Sequence, residues 1–262
     1  MEPTLVIALL AAVLVGFSLG LLGGGGSILT TPILVYLLGM EPRAAIASSL
    51  FIVGVTSAVG LLGHARAGRV RWRTGLFFGG AGMAGAFAGG LLGGWIPGPV
   101  LMILFAVMMI ATATAMIRGR RPAVASASAG TDDTAPPVAR MLLVGLLVGL
   151  ATGLVGAGGG FLIVPALHLL GGLPMVAAVA TSLFVIVMNT ATGLTGALVS
   201  VQIDWPIVLA FTGIAVAGPL LGARFAGRLP ERALRRGFGV FVLAMGALVL
   251  AQEIPNIAAG IA

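Results

Sequence analysis

Val15-Gly-Phe-Ser-Leu-Gly-Leu-Leu-Gly-Gly-Gly-Gly-Ser-Ile-Leu-Thr-Thr-Pro32 opens as an apolar run, breaks at Gly23 to Gly26, and resumes as a short apolar segment carrying a proline. The stretch returns as Val148 to Pro165, with Gly156, Gly158, Gly159 and Gly160 at the break. Each glycine in a helix interior costs about 1 kcal/mol relative to alanine, so neither cluster suits the middle of a helix. Inside a bilayer, backbone released from its helix is tolerated only where protein buries it or where it lines a wet cavity. The two breaks are therefore expected to face each other and to form a substrate site.

The remainder of the chain supplies the bilayer argument. Of 262 residues, 59% are hydrophobic and only 8% charged, where a soluble domain carries roughly 25% charged residues. The expectation is an all-α polytopic membrane protein. Cysteine is absent, which excludes disulfides, thiolate metal sites and a thiol nucleophile. The net charge of +7 comes from arginine, and the arginines sit in short loops between apolar runs. That pattern reports membrane orientation and not nucleic-acid binding. The opening Met-Glu-Pro-Thr lacks a basic n-region, so the first apolar segment is expected to stay in the mature protein.

In chain order, Leu5 to Leu22 is long enough to cross, whereas Ser27 to Leu38 is about half a span. Ala44 to Gly63, Thr74 to Trp95 and Val100 to Ile117 are three further spans. In the second of them Gly85, Gly89 and Gly93 recur every four residues, the spacing that lets helix backbones approach closely. Residues 118–139 hold Arg118, Arg120, Arg121, a Ser/Ala/Gly tract, Asp132, Asp133 and two prolines, a composition that reads as a flexible linker. The second half then repeats the first at an offset of 133 residues. Gly16, Gly20, Gly23, Gly25, Gly26 and Pro32 meet Gly149, Gly153, Gly156, Gly158, Gly159 and Pro165, and Ala-Ser-Ser-Leu-Phe from Ala47 meets Ala-Thr-Ser-Leu-Phe from Ala180. The organisation is a first transmembrane repeat (1–117), a linker (118–139) and a second repeat (140–262).

Charge decides how the halves are oriented. The loop from Arg66 to Arg73 is strongly basic, yet its equivalent carries Asp204 and no arginine; the uncharged turn at Pro97 corresponds to a segment with Arg228, Arg232, Arg235 and Arg236. Matching loops differ in charge, so the repeats are expected to be inverted, each with a Gly-broken helical hairpin plus three transmembrane helices. This puts 13 of the 14 arginines and the linker in the cytoplasm, with both termini outside. Inverted repeats with interrupted helices are a common construction for a midplane transport site. The half-helices beginning near Ser27 and Phe161 would present free N–H groups and positive dipole ends, which favour an anion.

At these residues the chain resembles the TauE/SafE family of sulfite exporters and related anion permeases. The paired Gly-rich breaks with Pro32 and Pro165, the Ala-Ser-Ser-Leu-Phe and Ala-Thr-Ser-Leu-Phe segments, and the twofold repeat carry the resemblance over nearly the whole chain. It implies a multi-pass transporter of the cytoplasmic membrane for sulfur-containing oxyanions such as sulfite, sulfoacetate or other organosulfonates.

The candidate substrate contacts are Gly23, Gly24, Gly25, Gly26, Ser27, Ser48 and Ser49 in the first half, and Gly156, Gly158, Gly159, Gly160, Thr181, Ser182 and Asn189 in the second. Each has a bland counterpart: glycines allow close packing, hydroxyls in apolar helices bond to the preceding turn, and an intramembrane amide often links two helices. His64 and His168 read as structural or interfacial. The seven carboxylates, Glu2, Glu41, Asp132, Asp133, Asp204, Glu231 and Glu253, all fall outside the expected spans, which leaves no carboxylate proton relay. No catalytic motif appears, and neither cofactor nor metal is expected. The expected partners are a small anion and the lipid bilayer. A coupling ion, proton or sodium, and an oligomeric assembly are left open, as is a second reading, a passive anion channel lined by the same half-helices.

Overall fold

The computed structural model describes residues 3–22, 25–118, 138–155, 160–226 and 230–261. The glycines Gly23, Gly24, Gly156, Gly158 and Gly159, and most of the linker, lie outside them. The described residues are mostly helical, with no strand among them. The first half comprises α1 (Pro3–Leu22), α2 (Gly25–Pro32) with a π-helical turn (Ile33–Leu37), α3 (Pro42–Arg66), α4 (Trp72–Gly93) and α5 (Gly98–Arg118). The second comprises α6 (Val138–Val155), α7 (Gly160–Pro165) with a π-helical turn (Ala166–Leu170), α8 (Met175–Ala197), α9 (Trp205–Ala215), α10 (Ala217–Ala226) and α11 (Glu231–Ile261). Among the described residues, seven helical segments have the length and apolarity to cross a membrane. The broken hairpin of each half is unequal: α1 and α6 run 20 and 18 residues, while their return arms are short.

Local chemistry sets these boundaries. Pro32 and Pro165 lack an N–H and crowd the carbonyl four residues back, and each is followed at once by its π turn. Both turns then end at a left-handed glycine, Gly39 at φ +66° and Gly172 at φ +67°, a conformation that L side chains resist. The Glu41 carboxylate accepts from the Ala44 N–H at 3.1 Å and caps α3, with Pro42 in the first turn. Where α4 is continuous, its equivalent divides into α9 and α10, because Pro219 cannot donate to Ala215.

The repeat is visible in the element boundaries. Offsetting Pro42, Trp72 and Gly98 by 133 gives Met175, Trp205 and Glu231, the first residues of α8, α9 and α11. A Cβ built on Gly54 would meet Thr190, one on Gly60 would meet Leu183, and one on Gly193 would meet Leu50. As one number rises the other falls, so the equivalent helices α3 and α8 run antiparallel. The equivalents α5 and α11 do the same: Gly239 faces Ala113 and Ile117, and Gly246 faces Ala106 and Met109. Other contacts are exchanged between the halves. Gly145, Gly149 and Gly153 of α6 lie on Phe78, Gly82 and Ala86 of α4, and Gly218 and Gly222 of α10 lie on Gly16 and Gly20 of α1. These pairs run parallel, backbone against backbone, as the glycine spacing anticipates.

Candidate functional site

The antiparallel register of α3 and α8, combined with the repeat offset, leaves one level at which α3 faces its own equivalent: residues 55–56 against 188–189. Thr56 and Asn189, themselves equivalents, stand there. Thr56 is buried and donates to the Ile52 carbonyl of its own helix at 2.6 Å. Asn189 is 2% exposed, and neither end of its amide has a hydrogen-bond partner. It sits over Gly82 at the centre of α4, where an added Cβ would come within 2.7 Å of its Oδ1. A buried amide without partners forfeits about 1–3 kcal/mol, a cost that a ligand accepting from the amide N–H would reduce.

The start of α2 reaches the same level. Thr31 Oγ1 donates to Ser49 Oγ at 3.1 Å, which fixes the middle of the short arm against the second turn of α3. The turn from Leu38 to Glu41 folds that arm back along α3. Six residues of helix, about 9 Å, then separate Thr31 from Gly25, which brings the mouth of α2 to the level of Thr56 and Asn189. The equivalents Ile28 and Phe161, in the first turns of α2 and α7, are fully buried in one apolar cluster with Val155 and Phe105. The beginnings of the two short helices therefore meet.

Not every candidate converges there. Gly25, Gly26 and Ser27 open α2, and Gly160 is buried at the start of α7. Ser48 and Ser49 lie near the Pro42 end of α3. Thr181 and Ser182 lie in antiparallel α8 at the opposite end, where Thr181 Oγ1 accepts from the Arg71 N–H at 3.0 Å. Roughly thirteen residues of helix, about 20 Å, separate the two pairs. Ser49 and Ser182 donate to the Ile46 and Val179 carbonyls of their own helices, whereas the fully buried Ser48 hydroxyl has no partner. Ser57, one residue beyond Thr56, is likewise buried and unpartnered. His64 is fully buried, with Nε2 3.1 Å from the Gly20 carbonyl, and so ties the end of α1 to α3.

One carboxylate is not where the sequence reading puts it. Glu253 lies within α11, 4% exposed, and accepts a hydrogen bond from Tyr36 Oη at 2.7 Å. Tyr36 belongs to the π turn that ends the first short arm. The reason is length: α11 continues to Ile261, so the carboxylate expected to fall outside the spans is inside a helix. Among the described residues no group of carboxylates and histidines is arranged to hold a metal ion.

Comparison with known proteins agrees with this architecture. The family model described as "Sulfite exporter TauE/SafE" matches residues 8–249. A probable membrane transporter protein of Xylella fastidiosa (strain Temecula1) is 36% identical, covering 94% of this chain and 95% of its own. The probable membrane transporter protein YunE of Bacillus subtilis is 26% identical over 95% of this chain and 98% of its own. A third, MJ0441 of Methanocaldococcus jannaschii, is 30% identical over 70% of this chain and 69% of its own. No solved structure gives a significant match. With two Gly-broken hairpins, a repeat in fixed register and a family match spanning both halves, the chain belongs to the TauE/SafE sulfite exporter family of membrane transporters.

Proposed function

We propose that this protein is a secondary transporter that moves a small sulfur-containing oxyanion, such as sulfite, sulfoacetate or another organosulfonate, across the cytoplasmic membrane by alternating access. The observations that support this reading are the meeting of the starts of α2 and α7 in one buried cluster and the unpaired buried amide of Asn189 at the corresponding level of α8. Antiparallel packing of the equivalent helices α3 and α8 supports inverted repeats, with that level near the midplane. No arginine lies at this level, so the anion is held by backbone N–H groups, the Asn189 amide and the positive ends of the short helices. Each dipole end contributes about 0.3–1 kcal/mol when exposed and up to about 2 when partly buried. Each hydrogen bond to a charged group adds about 1.5–3 kcal/mol. Those sums suit a compact anion that must be released again, and argue against a large multivalent ligand needing guanidinium clamps.

The test is thermal unfolding of the purified protein with a ligand panel. Sulfite or a small sulfonate at a hundredfold excess over its Kd should stabilise the fold by about 2.7 kcal/mol, whereas cations and neutral amino acids should not. Asn189→Ala should weaken that response at least tenfold while leaving the unliganded protein as stable as before, because the substitution removes an unpaired buried amide. Stabilisation by a cationic substrate with no response to any oxyanion would defeat the proposal.

A further inference from the structure

A cavity of about 500 Å³ lies between α5, α6 and the second short arm. Its walls are apolar, formed by Ala115, Val148, Leu162, Pro165 and Leu169, and Arg140 stands among them near the start of α6. It lies within the 300–1,000 Å³ range usual for ligand pockets. The repeat shows that it is no general consequence of the fold. Where this cavity has Thr112, Ala115, Ala166 and Leu169, the equivalent place across the repeat has Met245, Leu248, Ile33 and Tyr36, and Tyr36 is bonded to Glu253. The equivalent place is filled with larger side chains, whereas the cavity beside α5 and α6 is left open.

Charge identifies the occupant. Arg140 and Val148 are eight residues apart on α6, so the cavity extends about 12 Å along that helix from the Arg140 rim. Arg118 lies one turn beyond Ala115 on the same face of α5, at the end of the molecule that also carries Arg66, Arg69, Arg71 and Arg73. No carboxylate lines the cavity, and among the described residues nothing pairs with the Arg140 guanidinium. Exposed Leu143, Leu147 and Val107 flank it on the outer faces of α6 and α5, the faces that a bilayer would cover. We propose that this cavity binds an anionic phospholipid, its phosphate at Arg140 and Arg118 and one acyl chain along Val148, Leu162 and Leu169. Basic pockets between transmembrane helices recognise anionic head groups in this way. A phospholipid wedged here would press on the arm that begins at Gly160, so membrane composition would bear on the transport site.

The experiment is native mass spectrometry of the full-length protein, delipidated and then exposed to phosphatidylglycerol or phosphatidylcholine. The expected result is retention of phosphatidylglycerol about tenfold over phosphatidylcholine. Arg140→Gln should reduce that preference to near parity without loss of folded protein, since the side chain is exposed. Ala115→Leu, which installs the residue found at the equivalent position 248, should lower the amount of either lipid retained while Arg140 remains. Equal retention of both lipids by the wild type, or a preference unchanged by Arg140→Gln, would overturn the proposal. So would decanesulfonate occupying the site with no discrimination between the phospholipids, which would assign the cavity to a free amphiphile.

Discussion

Replacing Gly149 with alanine tests the α4–α6 seam more sharply than any larger change. A Cβ there would lie 2.7 Å from both the Cα and the carbonyl carbon of Gly82. Carbon atoms in favourable contact stand about 3.5–4.0 Å apart, so the two backbones must separate by roughly 1 Å. Neither partner atom is the end of a side chain that could turn away. The contacts of Gly145 with Phe78 and of Gly153 with Ala86, one turn to either side, would loosen together. Overpacking usually costs 1–3 kcal/mol, and an obstacle made of backbone puts the expected loss near the top, about 3 kcal/mol. Gly80→Ala, on an exposed face of α4 where an added Cβ meets nothing within 4 Å, is the control. The same chemical change should there be neutral or stabilising by up to about 1 kcal/mol. Unfolding free energies from SDS titration of the protein in detergent, followed by tryptophan fluorescence, measure both. If Gly149→Ala falls within about 0.5 kcal/mol of wild type, the close approach of α4 and α6 is wrong.

Tyr36→Phe keeps the ring but leaves Glu253 buried without its donor, and should cost about 1.5–3 kcal/mol in the same titration. Glu253→Gln, which retains an acceptor for Tyr36, should cost less; a neutral Tyr36→Phe would mean that the hydroxyl does not hold the short arm. For topology, reporter fusions at both termini should read as outside the cytoplasm and one near Ser128 as inside, and termini on opposite sides would refute inverted repeats.

The periodic features of the fold were legible in the residues. The 133-residue offset anticipated the starts of α8, α9 and α11, and the spacing of Gly85, Gly89 and Gly93 anticipated backbone contact. These signals are local: a helix forms, ends and packs by residues within a few turns. Long-range pairing was not legible. Tyr36 and Glu253 are separated by 217 residues and share no motif, so only the folded chain brings them together. The hydroxyls misled for a related reason. Ser48 with Ser49 and Thr181 with Ser182 are equivalent in sequence, and equivalence suggested one shared site, but antiparallel α3 and α8 carry the pairs to opposite ends. Asn189 was visible as an amide in an apolar run, while its lack of a partner, which gives it meaning, belongs to the packing against Gly82.

The seams also decide which bodies can move. Because α4 is bound to α6 and α1 to α10 through contacts with no side-chain layer between them, each tight pair takes one helix from either half of the chain. The halves are clasped like two hands and cannot swing as separate blocks. Motion that leaves both clasps closed divides the molecule into two arms of mixed parentage, one carrying α4 and α6, the other α1 and α10. The joint between them runs along α3 and α8, where the touching atoms belong to side chains, Thr190 over Gly54 and Leu183 over Gly60, and rotamer changes can absorb a displacement that backbone cannot. Asn189 belongs to α8 at that joint, so on the proposed function a bound anion would lie beside it.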